Sequence, residues 1–296
     1  MKAFYCDQFV LPLPEGHRFP MEKYRLLRER ALAIGALRPE DLTVPEAATD
    51  AEILRVHDAG YLGRVQSGEL ARPEIRRIGF PWSPAMVERS RRSAGATIGA
   101  CREALASGAA VNLVGGTHHS FRDRGEGYCV LNDAAIAARA MQAEGRVERV
   151  VVIDTDVHQG NGTASIFTED PTVFTFSLHG RNNFPFHKEK SDLDIELDDR
   201  TGDAAYLAAL DEGLGRALAF DADLAVFVSG ADAHEGDRLG RLAVTRAGLL
   251  ARDRMVFARC RRAGLPVAVV MAGGYGKVIA ETVEVHVQTI AEAARY

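Results

Sequence analysis

RVVVIDTDVHQGNG (149–162) decides the fold. Val150–Ile153 is an unbroken run of β-branched residues that stops on Asp154, and everything after it is polar or glycine-rich. A strand that is apolar at every position, not at alternate ones, has to be buried on both faces. The same grammar recurs along the chain. VNLVGG (111–116), TVFTFSL (172–178), DLAVFVSG (223–230) and LPVAVVMAGG (265–274) read as strands, and helices are expected over about 132–144, 203–219, 246–262 and 277–293. Strands alternating with helices require right-handed crossovers, hence a mainly parallel sheet with helices on both sides. The expected fold is therefore α/β, a three-layer α/β/α arrangement. Residues 20–34 and 49–66 also read as helical and are expected to pack over the sheet and rim the site.

The chain of 296 residues shows no repeat, linker or low-complexity segment, so one domain over 1–296 is expected. It carries 36 basic and 41 acidic residues, net charge −5, which excludes a global basic field for nucleic acid. The densest basic run, Arg89, Arg91 and Arg92, reads as the solvated face of a helix. Four cysteines without a C-x-x-C pair argue against both a disulfide framework and a cysteine metal site. The start, MKAFYCDQFVLPLPEG, lacks the apolar run of a signal peptide, and no stretch of about 18 apolar residues exists to span a membrane. A cytoplasmic protein is expected.

In open α/β sheets, ligands bind outside the carboxyl ends of the strands. Four expected strand ends carry polar groups: His118-His119, Asp154-Thr-Asp156-Val-His158, Asp232 within SGADAHEGD, and Gly273-Gly274-Tyr275. Alternate residues of an extended segment point the same way, so D-x-D-x-H aims metal-competent groups at one place. The bland reading is a solvated acidic loop. Asp156, His158 and Asp232 would give three protein ligands and leave room for water and substrate, the pattern of a catalytic zinc site. The mixed N/O set also accepts Fe(II), Co(II) or Mn(II). His118 and His119, otherwise incidental surface residues, suit the acid/base work of amide hydrolysis opposite such a metal, with Asp154 and Asn161 as partners that fix their tautomers. Tyr275 offers a phenol to a developing oxyanion, and the glycines before it permit close approach of the substrate.

GGTHHS, GYCVLND, DTDVHQGNG, SGADAHEGDRLG and AGGYGK stand in the order and spacing of the zinc-dependent histone deacetylase family, whose fold is the arginase–deacetylase fold. From HDAGYL (57–62) to the end the chain resembles that family, and DVHQGNG, EGDRLGRL and IGFPWSP (78–84) make it most similar to the class IV branch. The resemblance implies removal of acetyl or longer acyl groups from acyl-lysine. It implies Zn²⁺ on Asp156, His158 and Asp232. His119 would be the general base and acid, with His118 assisting electrostatically, Asp154 holding His118 and Asn161 holding His119. Tyr275 would bind the scissile carbonyl. Gly127 and Tyr128, with Gly273 and Gly274, would line the substrate channel. A structural K⁺ would sit among Asp154, Asp156, His158, Ser177 and Leu178, and Arg18 would match an arginine at the inner end of the channel. The acidic rim residue of class I relatives has no counterpart in Ile75–Pro84, although Glu69 and Glu74 are near.

Two rivals share the fold. A ureohydrolase needs further carboxylates for two metals, which a single D-x-D-x-H run and Asp232 do not supply. A deacylase of small acylated amines such as acetylpolyamines stays open. A non-catalytic acyl-lysine binding module would be expected to lack Tyr275 or a metal ligand.

Overall fold

A computed structural model describes residues 1–296. Eight strands form one sheet in the order β2-β1-β3-β8-β7-β4-β5-β6, all pairs parallel. They are β1 (Ala3–Phe4), β2 (Leu42–Thr43), β3 (Ala109–Asn112), β4 (Val150–Asp154), β5 (Val173–Gly180), β6 (Leu193–Leu197), β7 (Leu224–Ser229) and β8 (Val267–Met271). The helices are α1 (Lys23–Ala33), α2 (Asp50–Ile53), α3 (Ala59–Ser67), α4 (Arg72–Ile78), α5 (Pro84–Ser107), α6 (Asp133–Ala143), α7 (Asn161–Ile166), α8 (Asp203–Leu218), α9 (Arg246–Arg262) and α10 (Ile279–Ala293).

The strands divide their side chains between two cores. Val150 and Val152 of β4 join the core under α5 and α6, while Val151 and Ile153 join the core under α1, α8, α9 and α10. β8 does the same, with Ala268 and Val270 on one side and Val267, Val269 and Met271 on the other. The expected three-layer architecture is thus observed, and the sheet is wholly parallel.

Three expectations need correction. VNLVGG is not strand throughout. Asn112 ends β3 by accepting the Val114 N–H on its own Oδ1 at 3.0 Å, and Gly115 and Gly116 then turn with φ of 95° and 66°. Residues 49–66 are helical only in part, as α2 and α3 with a turn over 54–58 between them. The run Arg89, Arg91 and Arg92 is not a solvated face. Arg89 is buried and donates to the carbonyls of Cys6 and Phe9, Arg91 donates to Ala48 O, and Arg92 to Pro45 O. These guanidiniums fasten the N-terminal segments to α5.

His57, just after α2, ties two loops together. It is 2% exposed, its Nε2 accepts the Asn132 N–H at 3.0 Å, and its Nδ1 donates to Arg122 O at 3.3 Å. Burial holds its pKa down at about 4. An unfolded histidine titrates near 6.5. As pH falls from about 6.5 towards 4, only the unfolded chain takes up the proton, so stability is lost across that window at about 1.4 kcal/mol per unit. Urea unfolding is expected to show about 2 kcal/mol less stability from this residue at pH 5 than at pH 7. His57→Gln should remove that part of the acid sensitivity, and an equal loss in both proteins would contradict it.

Candidate active site

β3, β8, β7 and β4 are contiguous at the centre of the sheet, and their carboxyl ends carry the predicted loops. The four loops therefore converge as expected. Asp156, His158 and Asp232 are all buried, and their ligand atoms lie within 4.8 Å of one another. His158 Nδ1 is 2.9 Å from Asp156 Oδ1 and 3.2 Å from Asp232 Oδ2.

Three observations show that this set fits a cation. Asp232 Oδ2 is fully buried with no hydrogen-bond partner, which a native fold does not leave uncompensated without reason. Burial, reinforced by Asp156, pushes the Asp232 carboxyl up to about 7. Asp156, despite its burial, is held well below the ordinary range by His118 and His158. Two carboxylates this close cannot both be charged in a buried site without a positive charge between them. Finally, a Cβ on Gly273 would stand 1.8 Å from Asp232 Oδ2 and 2.5 Å from Asp156 Oδ2, so only glycine leaves the cradle open. Its N–H donates to Asp156 Oδ2 at 2.7 Å.

The two histidines lie side by side, ring centroids 4.1 Å apart, in different electrostatic states. His118 Nδ1 donates to Asp154 Oδ2 at 2.6 Å. Burial opposes its charge, but Asp154 and Asp156 outweigh burial and push it up to about 9. His119 Nδ1 meets Asn161 Oδ1 at 2.7 Å. Burial, then His118 and His158, hold His119 well below the usual histidine value, so it is neutral. With Nδ1–H committed to Asn161, the lone pair sits on Nε2.

Tyr275 lines the same space. Its backbone N–H donates to Asp237 Oδ2 at 2.6 Å and its carbonyl accepts from Arg238 at 2.8 Å, leaving the phenol free of protein partners. Burial, then Asp156, push the phenol well above its ordinary pKa, so it stays protonated and can donate.

Two cavities meet at these residues. The outer one, of about 630 Å³, is lined by Tyr128, Phe184 and Leu239 among others, and a small inner one, of about 50 Å³, by Gly115, Gly116 and Thr117. His119, Gly127, Tyr128, His158 and Tyr275 line both, so they mark the junction. Gly127 has φ of 55°, and a Cβ there would stand 2.7 Å from His119 Cδ2. Gly273 lines the inner cavity, but Gly274 lines neither and faces Thr282, Ala231 and His286. Arg18 is not at the inner end. It lies outside, in a recess beside Arg238 and Tyr275, and Arg89 instead borders the innermost space of about 40 Å³.

Several positioning residues carried no assigned role in the sequence. Asp133 accepts from the backbone of Gly116 and Thr117 and from the hydroxyl of Thr97, holding the turn before the histidines. Asn132 caps α6 by accepting from Ala135 N and donates to Ser120 O at 3.0 Å. Buried Lys23 donates to Ala272 O at 3.0 Å. For Asn132 and Asp133 the signal was the polar pair ending GYCVLND, an amide and an acid closing an otherwise apolar segment. Phe184 gave none, and Leu239 stood within SGADAHEGDRLG without an assigned role.

Comparison with known proteins agrees with this geometry. A family model described as the histone deacetylase domain matches residues 17–290. The chain is 45% identical over 283 residues to an uncharacterized protein of Picosynechococcus, covering 95% of this chain and 94% of that one. It is 30% identical over 293 residues to Histone deacetylase 2 of Arabidopsis thaliana, covering 94% and 76%. The crystal structure of an HDAC homolog complexed with SAHA superposes with a TM-score of 0.85 over 100% of this chain and 84% of that one, at 22% identity. That last likeness is one of fold, the three-layer arginase–deacetylase fold.

Proposed function

This chain belongs to the histone deacetylase family of hydrolases, and from that premise we propose that it is a zinc-dependent deacylase of the side-chain amine of acyl-lysine, acting as one catalytic domain over residues 1–296. The carrying observation is the Asp156, His158 and Asp232 set, with a carboxylate oxygen left without a hydrogen bond, reached where His158 lines the junction of two cavities beside a neutral histidine and a free phenol. Zn²⁺ held by those three residues would polarise the amide carbonyl and acidify the attacking water.

The chain's own residues do the rest. The lysine stem lies between Tyr128 and Phe184 in the outer cavity, with Gly127 leaving room beside it. His119 Nε2 takes the proton of the attacking water and later delivers it to the leaving nitrogen. Asn161 holds His119 in the tautomer that allows this, and the charged His118, anchored by Asp154, favours the proton's departure from His119. The Tyr275 hydroxyl donates to the carbonyl oxygen as negative charge develops there. A structural K⁺ on Asp154, Asp156, His158, Ser177 and Leu178 is supported by the β4–β5 register, which sets Asp154 beside Ser177.

The inner space favours short acyl groups. A water needs roughly 10–15 Å³ of such volume, so cavities of about 50 and 40 Å³ accept an acetyl methyl and not a long chain. One lysine peptide carrying acetyl, octanoyl or myristoyl is expected to be turned over fastest as the acetyl form. Faster hydrolysis of the myristoyl peptide would contradict this pocket assignment. Tyr275→Phe should lower kcat by roughly 10²- to 10³-fold, the usual loss of one oxyanion donor. Near-normal kcat would remove Tyr275 from the mechanism.

A further inference from the structure

The mouth of the cavity has a charge opposite to that of the chain. Net charge is −5, yet Arg76, Arg77 and Arg241 line the outer cavity, and Arg18 and Arg238 line the adjoining recess of about 340 Å³. Arg76 and Arg77 close the last turn of α4, exposed, with no side-chain partner in the protein. Arg18 is likewise exposed and unpaired. Arg241 has only a 3.3 Å contact to Asp199. The lining of the outer cavity contains one carboxylate, Glu126, which Asn161 Nδ2 approaches at 3.5 Å. Glu69 and Glu74 do not line the cavity, Glu74 being paired with Arg64 and Glu69 accepting from Ser67.

Resting on the deacylase reading, we infer that this arginine rim selects acyl-lysine flanked by acidic residues and disfavours cationic amines such as acetylpolyamines. A cleft ringed by an excess of charge of one sign concentrates ligands of the other sign and speeds their encounter. Guanidinium groups bind carboxylates through two parallel N–H donors. The occupant of the catalytic cavity is an amine-bearing chain, so selection at the rim acts on what surrounds that amine. Because the rim is solvated, salt screens the preference.

The test uses the purified protein and end-blocked acetyl-lysine peptides that differ only in Glu, Gln or Lys flanks. A Gln-flanked peptide with a free C-terminus and acetylspermidine complete the set. The expected kcat/KM order is Glu above Gln above Lys, with Glu over Lys at least about tenfold at low salt and shrinking as salt rises. Arg76→Glu with Arg77→Glu should bring that ratio to one or below, and a ratio does not depend on the amount of active protein. A wild-type ratio near one, a ratio unmoved by the double variant, or acetylspermidine as the best substrate would overturn the inference while leaving the hydrolase reading intact. Enhancement of the free-carboxylate peptide alone would overturn the assignment to acidic flanks. Turnover of none of the five would overturn the deacylase reading and this inference with it.

Discussion

Asp232→Ala is expected to purify without bound metal and to lose turnover by about 10³-fold or more. A metal's stabilisation of transition-state charge is worth several kcal/mol, and each 1.4 kcal/mol is tenfold. Asp232 is the residue to remove because its buried Oδ2 makes no hydrogen bond and has only His158 Nδ1, itself in the proposed metal set, close by. The fold should survive. In the metal-free protein Asp232 is a buried acid pushed up by burial and by Asp156, so deleting it relieves a like-charge contact. What is lost locally is its Oδ1, which accepts the Val157 N–H at 3.0 Å, and the approach of its Oδ2 to His158 Nδ1 at 3.2 Å. Asp232→Asn keeps that acceptor and separates the two effects. Both variants should lose metal, measured by elemental analysis, while the melting temperature of the asparagine variant stays at or above that of the metal-stripped parent. One equivalent of metal retained in Asp232→Ala would remove Asp232 from the ligand set.

His119→Ala should lower kcat by roughly 10²- to 10⁴-fold with metal content unchanged, the range for a positioned general base. The reason lies in the asymmetry of the pair. His118 is held charged by Asp154 and Asp156, whereas His119 has only the neutral Asn161 on its Nδ1 and is kept uncharged by burial and by its neighbours. A group already protonated near neutrality cannot accept the water's proton, so the proposed mechanism takes His119 as the base and His118 as the electrostatic neighbour. His118→Ala should therefore cost less than His119→Ala. The reverse order, measured at saturating substrate with equal metal occupancy, would exchange their roles.

The sheet and the metal-competent set were legible because both rest on short-range periodicity. A run buried on both faces shows no alternation, and β4, β7 and β8 were read within a residue or three of their observed ends. Asp154, Asp156 and His158 could be grouped because alternate residues of an extended segment share a face. The convergence of four loops followed from parallel topology alone. The two N-terminal strands were not legible: β1 and β2 have two residues each, too few to show any period. The cavity walls were hidden for another reason. Phe184 and Leu239 come from loops whose conformation is set by tertiary contacts such as Asn183 Nδ2 donating to Leu239 O at 2.8 Å. Arg89 was misread because a charged residue on a helix is usually solvated, and only the folded chain brings Cys6 O, Phe9 O and the Tyr24 ring to it. The arginine rim is likewise tertiary, since α4 and the loop after β7, far apart in the chain, supply it together.

In the proposed reaction a metal on Asp156, His158 and Asp232 drives amide hydrolysis. The most direct test measures hydrolysis of an acetyl-lysine peptide together with metal content, before chelation, after it, and after adding Zn²⁺ back. The account predicts one metal per chain, turnover that disappears with the metal, and recovery on adding zinc. Undiminished turnover in metal-stripped protein, or none at full metal occupancy, would contradict it.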